Sequence, residues 1–344
     1  MLGPVAGALL AALGGLCIGS GSWTLKEMRR YRFEHWLLVG MFVGLVVLPW
    51  AITLGAYPDA LAAIGRIPRG NLLLSNLFSV GWGVANVLCA LCFVRIGVAL
   101  TGGILGGLGM AMGVLVPMLF RGSGLFSRAP GPGSPAGLAA LAAVGFLVVG
   151  ASLCLAAGLL RERMAGAGGQ RAPGFPAGLA LAALAGVLSS FPNFAFAYGQ
   201  DAIIAAIHRG APGADPLATV PVWAVGMMGG ALVNLAYAAL LIHRGRAWRL
   251  LAAPRDLGIA AVGGSLFIVA FGLMGKGALL MGPLGASAGW GIYQVGQLLG
   301  GQAVGLAYGE WRGAAPKACG LMAGGVAVLV AAAGLLAWAN SLAR

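Results

Sequence analysis

A few polar and aromatic side chains interrupt the apolar runs of this chain, and their types suit one chemistry. Trp82 and Asn86 stand about one helical turn apart. In Ser-Ser-Phe-Pro-Asn-Phe (189–194), Asn193 adjoins Pro192, whose missing N–H must open the helical ladder. Trp223, Met227, Gly230 and Asn234 fall on one helical stripe. Trp290, Gln294 and Gln297 share another, with Tyr293 one turn before Gln297. Amides both donate to and accept from hydroxyl groups, and aromatic faces pack on the C–H faces of a ring. Taken together, these amides, a phenol and indoles predict a cavity for a neutral polyol. Taken singly, each serves equally well as an interhelical hydrogen bond or an interfacial anchor.

Charges inside such runs are rarer still. Lys276 lies in Gly-Leu-Met-Gly-Lys-Gly-Ala-Leu-Leu-Met-Gly, 272–282. Unpaired at mid-membrane it would cost roughly 3 kcal/mol on insertion scales. It can snorkel to the headgroups, pair with Asp201, or face the cavity. The eight acids fall mostly in connectors and at helix ends. Asp201, near the end of an apolar run, is the first candidate for a group that changes charge during transport. Glu34 and Glu310 are reserves. The three histidines, His35, His208 and His243, lie far apart.

This residue set excludes several classes. There are neither paired acids nor a histidine-rich cluster, so a membrane enzyme lacks a catalytic centre. Cys89 and Cys92 have redox spacing but no second pair and no nearby histidine, so no metal or cofactor is expected. The net charge of +13 is scattered in short clusters between apolar runs, unlike a nucleic-acid-binding face.

The elements that position these residues must be membrane helices. Hydrophobic residues make up 60% of the 344 and charged residues 8%, against about 25% charged in soluble domains. Mean hydropathy is +0.94. A span needs about 20 apolar residues, and ten runs qualify: 2–22, 36–56, 72–94, 97–119, 137–160, 176–199, 218–242, 258–281, 284–308 and 318–340. No lysine or arginine precedes the first run, which reads as a retained helix. Fourteen of the 21 lysines and arginines fall in alternate connectors beginning with Lys26, Arg29, Arg30 and Arg32, and six on the other side. The positive-inside rule then places both termini outside.

The chain also echoes itself. Leu-Ala-Ala-Leu-Gly-Gly-Leu (10–16) matches Leu-Ala-Ala-Leu-Ala-Gly-Val (181–187), and Val-Gly-Met-Phe-Val-Gly (39–44) matches Val-Gly-Met-Met-Gly-Gly (225–230). Arg95–Leu100 has a looser counterpart in Leu280–Gly285. Two five-helix repeats are therefore expected, at 1–163 and 176–344, joined by a glycine-rich linker over 164–175. Five is odd, so the second repeat inserts upside down. Inverted repeats of this kind supply two near-equivalent packings for alternating access.

Five stretches carry a family resemblance: Val-Val-Leu-Pro-Trp-Ala-Ile (46–52), Gly-Trp-Gly-Val-Ala-Asn (81–86), Asp-Pro-Leu (215–217), Met-Gly-Gly-Ala-Leu-Val-Asn-Leu (228–235) and Gly-Glu-Trp (309–311). In this order the chain resembles the bacterial L-rhamnose–proton symporters of the drug/metabolite transporter superfamily. The resemblance implies that superfamily's fold, an all-α inner-membrane carrier, and sugar uptake driven by a proton gradient. Trp82, Gly83, Asn86, Asp215, Asn234 and Glu310 fall on its motif positions. The family is rich in aromatics in the eighth helix, where this chain has few and gains Lys276. The same fold working as a metabolite exporter or exchanger, for an anionic sugar-like solute, is the alternative.

Overall fold

The computed structural model describes residues 2–119, 131–164, 175–208 and 212–343. The expected linker over 164–175 lies outside the described residues except at its two ends. Every regular element among the described residues is a helix. The long ones are α1 (Leu2–Ser20), α2 (Phe33–Ala56), α3 (Arg69–Ile96), α4 (Val98–Leu119), α5 (Pro135–Met164), α6 (Phe175–Ile207), α7 (Val220–Gly226 with Met228–Arg244), α8 (Pro254–Met281), α9 (Ala288–Ala307) and α10 (Pro316–Leu342). Each of the ten apolar runs coincides with one of them. Eight are long and apolar enough to cross a bilayer, and the two pieces of α7 together make a ninth. Helix α9 has the length but is less apolar, because Gln294, Gln297 and Gln302 sit among its glycines. Leu73, Leu77, Val149 and Trp338 point outward unburied, as residues facing lipid do.

The packing has a regular plan. α1 packs on α8 and α9, and α6 packs on α3 and α4. α2 touches α7 and α8, while α7 touches α2 and α3. α4 leans on α5 as α9 leans on α10; α5 pairs with α10 and α4 with α9. Advancing these labels by five, cyclically, returns the same pairs, whereas the α6–α7, α7–α8 and α1–α10 contacts have no such counterpart.

α1 runs parallel to α9 at backbone contact. A Cβ at Gly15 would lie 1.9 Å from the Tyr293 carbonyl oxygen, and one at Gly19 would lie 2.0 Å from that of Gln297. Only glycine fits there, and the approach fixes where α9 presents its polar face.

Two helices are broken, and the freed backbone is satisfied as a membrane interior requires: by side chains of α3 at α7, and at α6 by its own Ser189 and Ser190 hydroxyls, which donate to the Gly186 and Val187 carbonyls at 2.6 and 2.7 Å. α7 bends by 56° about Met227. Asn76 donates to the Val225 carbonyl at 3.1 Å and accepts from the Gly229 N–H at 2.9 Å, while the Ser79 hydroxyl accepts from the Gly230 N–H at 2.7 Å. α6 is interrupted at Ser189 and Ser190, just before Pro192. A π-helical stretch, Phe42–Val47, precedes Pro49 in α2 and takes up the hydrogen bond that proline cannot donate.

The connectors α1–α2, α3–α4, α7–α8 and α9–α10 share one end with the last turn of α5 and the first turn of α6, termed here the basic end; the first turn of α1 and the last turn of α10 share the other. At the basic end the buried Asp256 of α8 accepts the backbone N–H groups of Arg29, Arg30 and Tyr31 at 3.1, 2.6 and 2.8 Å. One carboxylate thereby staples the α1–α2 connector to α8.

Candidate functional site

Between α3, α4, α6, α8 and α9 lies a cavity of about 330 Å³. Its wall includes Trp82, Asn86, Trp290, Tyr293, Gln294 and Gln297, six residues that the sequence pattern singled out. They come from α3 and α9, far apart in sequence and brought face to face by the packing.

The wall has an aromatic side and an amide side. Trp82 and Phe267 have ring centroids 5.8 Å apart, Phe267 and Phe271 4.6 Å, and Phe271 and Tyr293 6.1 Å. Trp290 stacks on Tyr293 at 5.5 Å, anchored by its indole N–H on the Gly109 carbonyl at 3.2 Å. On the amide side, Asn86 donates to the Asn234 side chain at 3.0 Å, and Asn234 donates to the Gly230 carbonyl at 2.8 Å. That chain orients Asn86 and leaves its own carbonyl oxygen as an acceptor. The side-chain amides of Gln294 and Gln297 make no hydrogen bond among the described residues, so both can bond a guest. Among the described residues, no Asp, Glu, Lys, Arg or His lines this cavity.

The other candidates lie elsewhere. Asn234 stands behind Asn86. Asn193 is buried and donates to the carbonyls of Gly113, at 3.2 Å, and Ala286, at 2.5 Å, tying α6 to α4 and to the α8–α9 turn. Neither lines the cavity. The Lys276 ammonium donates to the carbonyls of Pro212, Gly213 and Asp215 at 3.1, 2.6 and 2.7 Å. Its companion is thus the α6–α7 connector, in place of Asp201 or the cavity. Asp201 is exposed on α6. Glu34 is half-buried in the first turn of α2 at the basic end. Glu310 accepts from Lys26 and, at 3.1 Å, from Arg161. These bonds, the Lys26 one foremost, hold its carboxyl below the usual glutamate range.

The sequence pattern missed Phe267 and Phe271, as well as Ser189 and Met110. The phenylalanines are the part of α8 that reaches the cavity, in place of Lys276. Their spacing of four residues was the available signal, but phenylalanine in an apolar helix looks the same whether it faces a cavity or lipid.

Two further cavities join the first toward the basic end. One, of about 360 Å³, shares Gly102, Gly106, Gln297 and Leu298 with it and reaches Arg161, Glu162, Glu310 and Trp311. The other, of about 300 Å³, shares Phe267 and Gln297 and runs along α1 and α2. Toward the termini the path is filled. Phe196 stacks on Trp223 at 4.7 Å, Trp223 meets Phe271 at 4.3 Å, and Met274, Met281 and Leu284 are fully buried. Beyond them, Asp215 accepts from Tyr57 at 2.5 Å, His208 at 2.9 Å and the Leu217 N–H at 2.8 Å. Burial raises the Asp215 pKa, but these bonds outweigh it and the carboxyl titrates below its ordinary value.

Comparison with known proteins places this architecture. The family model described as L-rhamnose-proton symport protein (RhaT) matches residues 5–340. The chain belongs to this family. Among its curated relatives, the L-rhamnose-proton symporter of Pectobacterium atrosepticum is 28% identical over 323 residues, covering 90% of this chain and 91% of that protein. Those of Klebsiella pneumoniae and Salmonella dublin are 28% and 27% identical with the same coverage. Like its family, the chain is a multi-pass membrane transporter and not an enzyme. Among the positions on which it resembles the L-rhamnose–proton symporters, Trp82 and Asn86 line the cavity and Asn234 backs them. Asp215 and Glu310 mark opposite ends of the bundle.

Proposed function

We propose that this chain is a proton-coupled carrier that takes up L-rhamnose or a closely similar neutral sugar across the bacterial inner membrane by alternating access. The observation that carries the proposal is the uncharged cavity itself: free amides of Gln294 and Gln297 on one side, the Trp82–Phe267–Phe271–Tyr293 aromatic wall on the other. Amides take the hydroxyls and the aromatic faces cover the C–H surface, including the apolar methyl of a deoxysugar. The family's name for its substrate supports the same reading. An anionic solute would find no cation among the described residues of the wall, and Lys276 is committed to three carbonyls.

Transport on this reading uses all ten helices as two inverted repeats. The recurrence of the α1–α8, α1–α9, α2–α8 and α4–α5 pairs as α6–α3, α6–α4, α7–α3 and α9–α10 supports this. So does the match of α1 to α6 and α2 to α7 in sequence. The basic end faces the cytoplasm by the positive-inside rule, and both termini face outside. The cavities open toward that basic end, so this conformation is inward-facing, and exchanging the packings of the two repeats gives the outward-facing one. Gln294 and Gln297 belong to α9, which α1 holds at backbone contact, so both helices move as one rib.

Ligand-induced thermal shift on purified protein tests the substrate class. L-Rhamnose and neutral deoxysugars should raise the melting temperature in a saturable way. A shift confined to uronates or other anions would overturn the assignment.

A further inference from the structure

A carrier driven by protons needs a group that takes up a proton and changes charge. This chain has eight carboxylates and three histidines, and all of them fall within the described residues. None lines the sugar cavity. The coupled proton must therefore be carried by a group outside the sugar-binding wall itself.

Most of the eleven groups have structural work or the wrong place. Asp256 is held by three backbone N–H groups. His35 is buried with both ring nitrogens engaged: Nδ1 accepts from the Arg32 N–H at 3.3 Å and Nε2 lies 3.0 Å from the Ala247 carbonyl. Glu27 binds Arg255 at 3.1 Å and Tyr308 at 2.9 Å. Glu34, Asp59, Asp201 and His243 line none of the three joined cavities. His208 and Asp215 sit beyond the filled end, cut off from the open path. Glu162 and Glu310 remain, both on the cavity that continues from the sugar site to the basic end.

Glu310 is placed to link a proton to movement. Its carboxylate bridges Lys26, on the α1–α2 connector, and Arg161, at the end of α5. Trp311 packs on the Arg161 guanidinium at 4.9 Å. The Glu310 backbone N–H is fixed on the Gly305 carbonyl of α9 at 2.9 Å. One carboxylate thus ties the α1–α9 rib, which carries Tyr293, Gln294 and Gln297, to the α5–α10 pair. The other charged groups around it are Glu162 beside Arg161, the Glu27–Arg255 pair with Tyr308, and Arg312 on its own connector.

Resting on the sugar-symport reading above, we infer that Glu310 is the group that gives up the coupled proton to the cytosolic side. In the loaded carrier it is a neutral carboxylic acid and holds neither cation. In the inward-open form its O–H proton passes to water at the mouth, and the carboxylate left behind takes Lys26 and Arg161 in its place. The two cations and the proton are alternatives on the same oxygens, which makes release and inward opening one event. The lowered affinity of this carboxyl for its proton in the present conformation fits release here.

The test uses purified protein in liposomes with L-rhamnose. Glu310→Gln should abolish accumulation driven by an inward proton gradient and the sugar-induced proton influx read by an internal pH dye. It should keep rhamnose counterflow at equal pH well above that of protein-free vesicles. Asp201→Asn should retain both accumulation and proton influx. Gradient-driven accumulation by Glu310→Gln, or its loss in Asp201→Asn alone, would overturn the proposal. A second variant guards against misfolding of the first. Arg161→Gln removes one competing cation, so the internal pH at half-maximal proton release should rise by about one unit; an unchanged pH profile would also overturn it. Wild-type vesicles with no rhamnose counterflow would overturn the sugar reading, and this proposal with it.

Discussion

The residues that matter most are those with bonding capacity left over. Gln294 and Gln297 keep their amides unpaired in a cavity whose other polar side chains are already oriented. Gln294→Leu should raise the KM for sugar by about five- to 150-fold, since an unmet buried hydroxyl costs about 1–3 kcal/mol and 1.4 kcal/mol is tenfold; uptake kinetics measure it. Asn234→Leu should produce a smaller loss, because it acts only by orienting Asn86. Lys276→Met tests the opposite assignment. It removes three bonds to the α6–α7 connector, so it should lower the melting temperature and leave rhamnose affinity within about threefold, as a group outside the cavity would. Half of this was legible in the sequence. A glutamine or asparagine in an apolar run stands out because burying it is costly, and those residues did converge. Phe267 and Phe271 did not stand out, since an aromatic ring costs nothing facing lipid. The carbonyls that receive Lys276 carry no side-chain signature, so its partner was invisible.

At the scale of elements, hydropathy located the helices because bilayer thickness dictates their length. It did not show that α9, which falls short of the apolarity of the other spans, lines the cavity with its glutamines. The bend of α7 at Met227 was equally hidden, because Asn76 and Ser79 of a distant helix supply its missing partners. The closest approach in the bundle, α1 on α9, is the most sensitive element contact. Gly19→Leu should push α9 away from α1, since even a Cβ would meet the Gln297 carbonyl oxygen at 2.0 Å. Transport should be lost and the melting temperature lowered, whereas the same change at Gly272, with nothing near its Cβ position, should leave both close to wild type. Circular dichroism melting and counterflow read the two effects.

At the scale of the whole molecule, the proposed pair of five-helix halves would enclose the neutral cavity, which opens toward the basic end. The aromatic and methionine fill around Trp223, Phe271 and Met274 seals the end with the termini. The charged cluster of Lys26, Arg161 and Glu310 stands at the open mouth. The proposed duplication rests on short matches in the sequence and on the helix pairs that recur when their labels advance by five. Which way the present conformation faces was not legible, because two packings of one sequence share one hydropathy pattern. The most direct test is uptake of labelled L-rhamnose into proteoliposomes with the protein as the sole component. An inward proton gradient should drive accumulation above the external concentration, and a protonophore should collapse it. Failure to accumulate L-rhamnose or any other neutral sugar under that gradient would contradict the account.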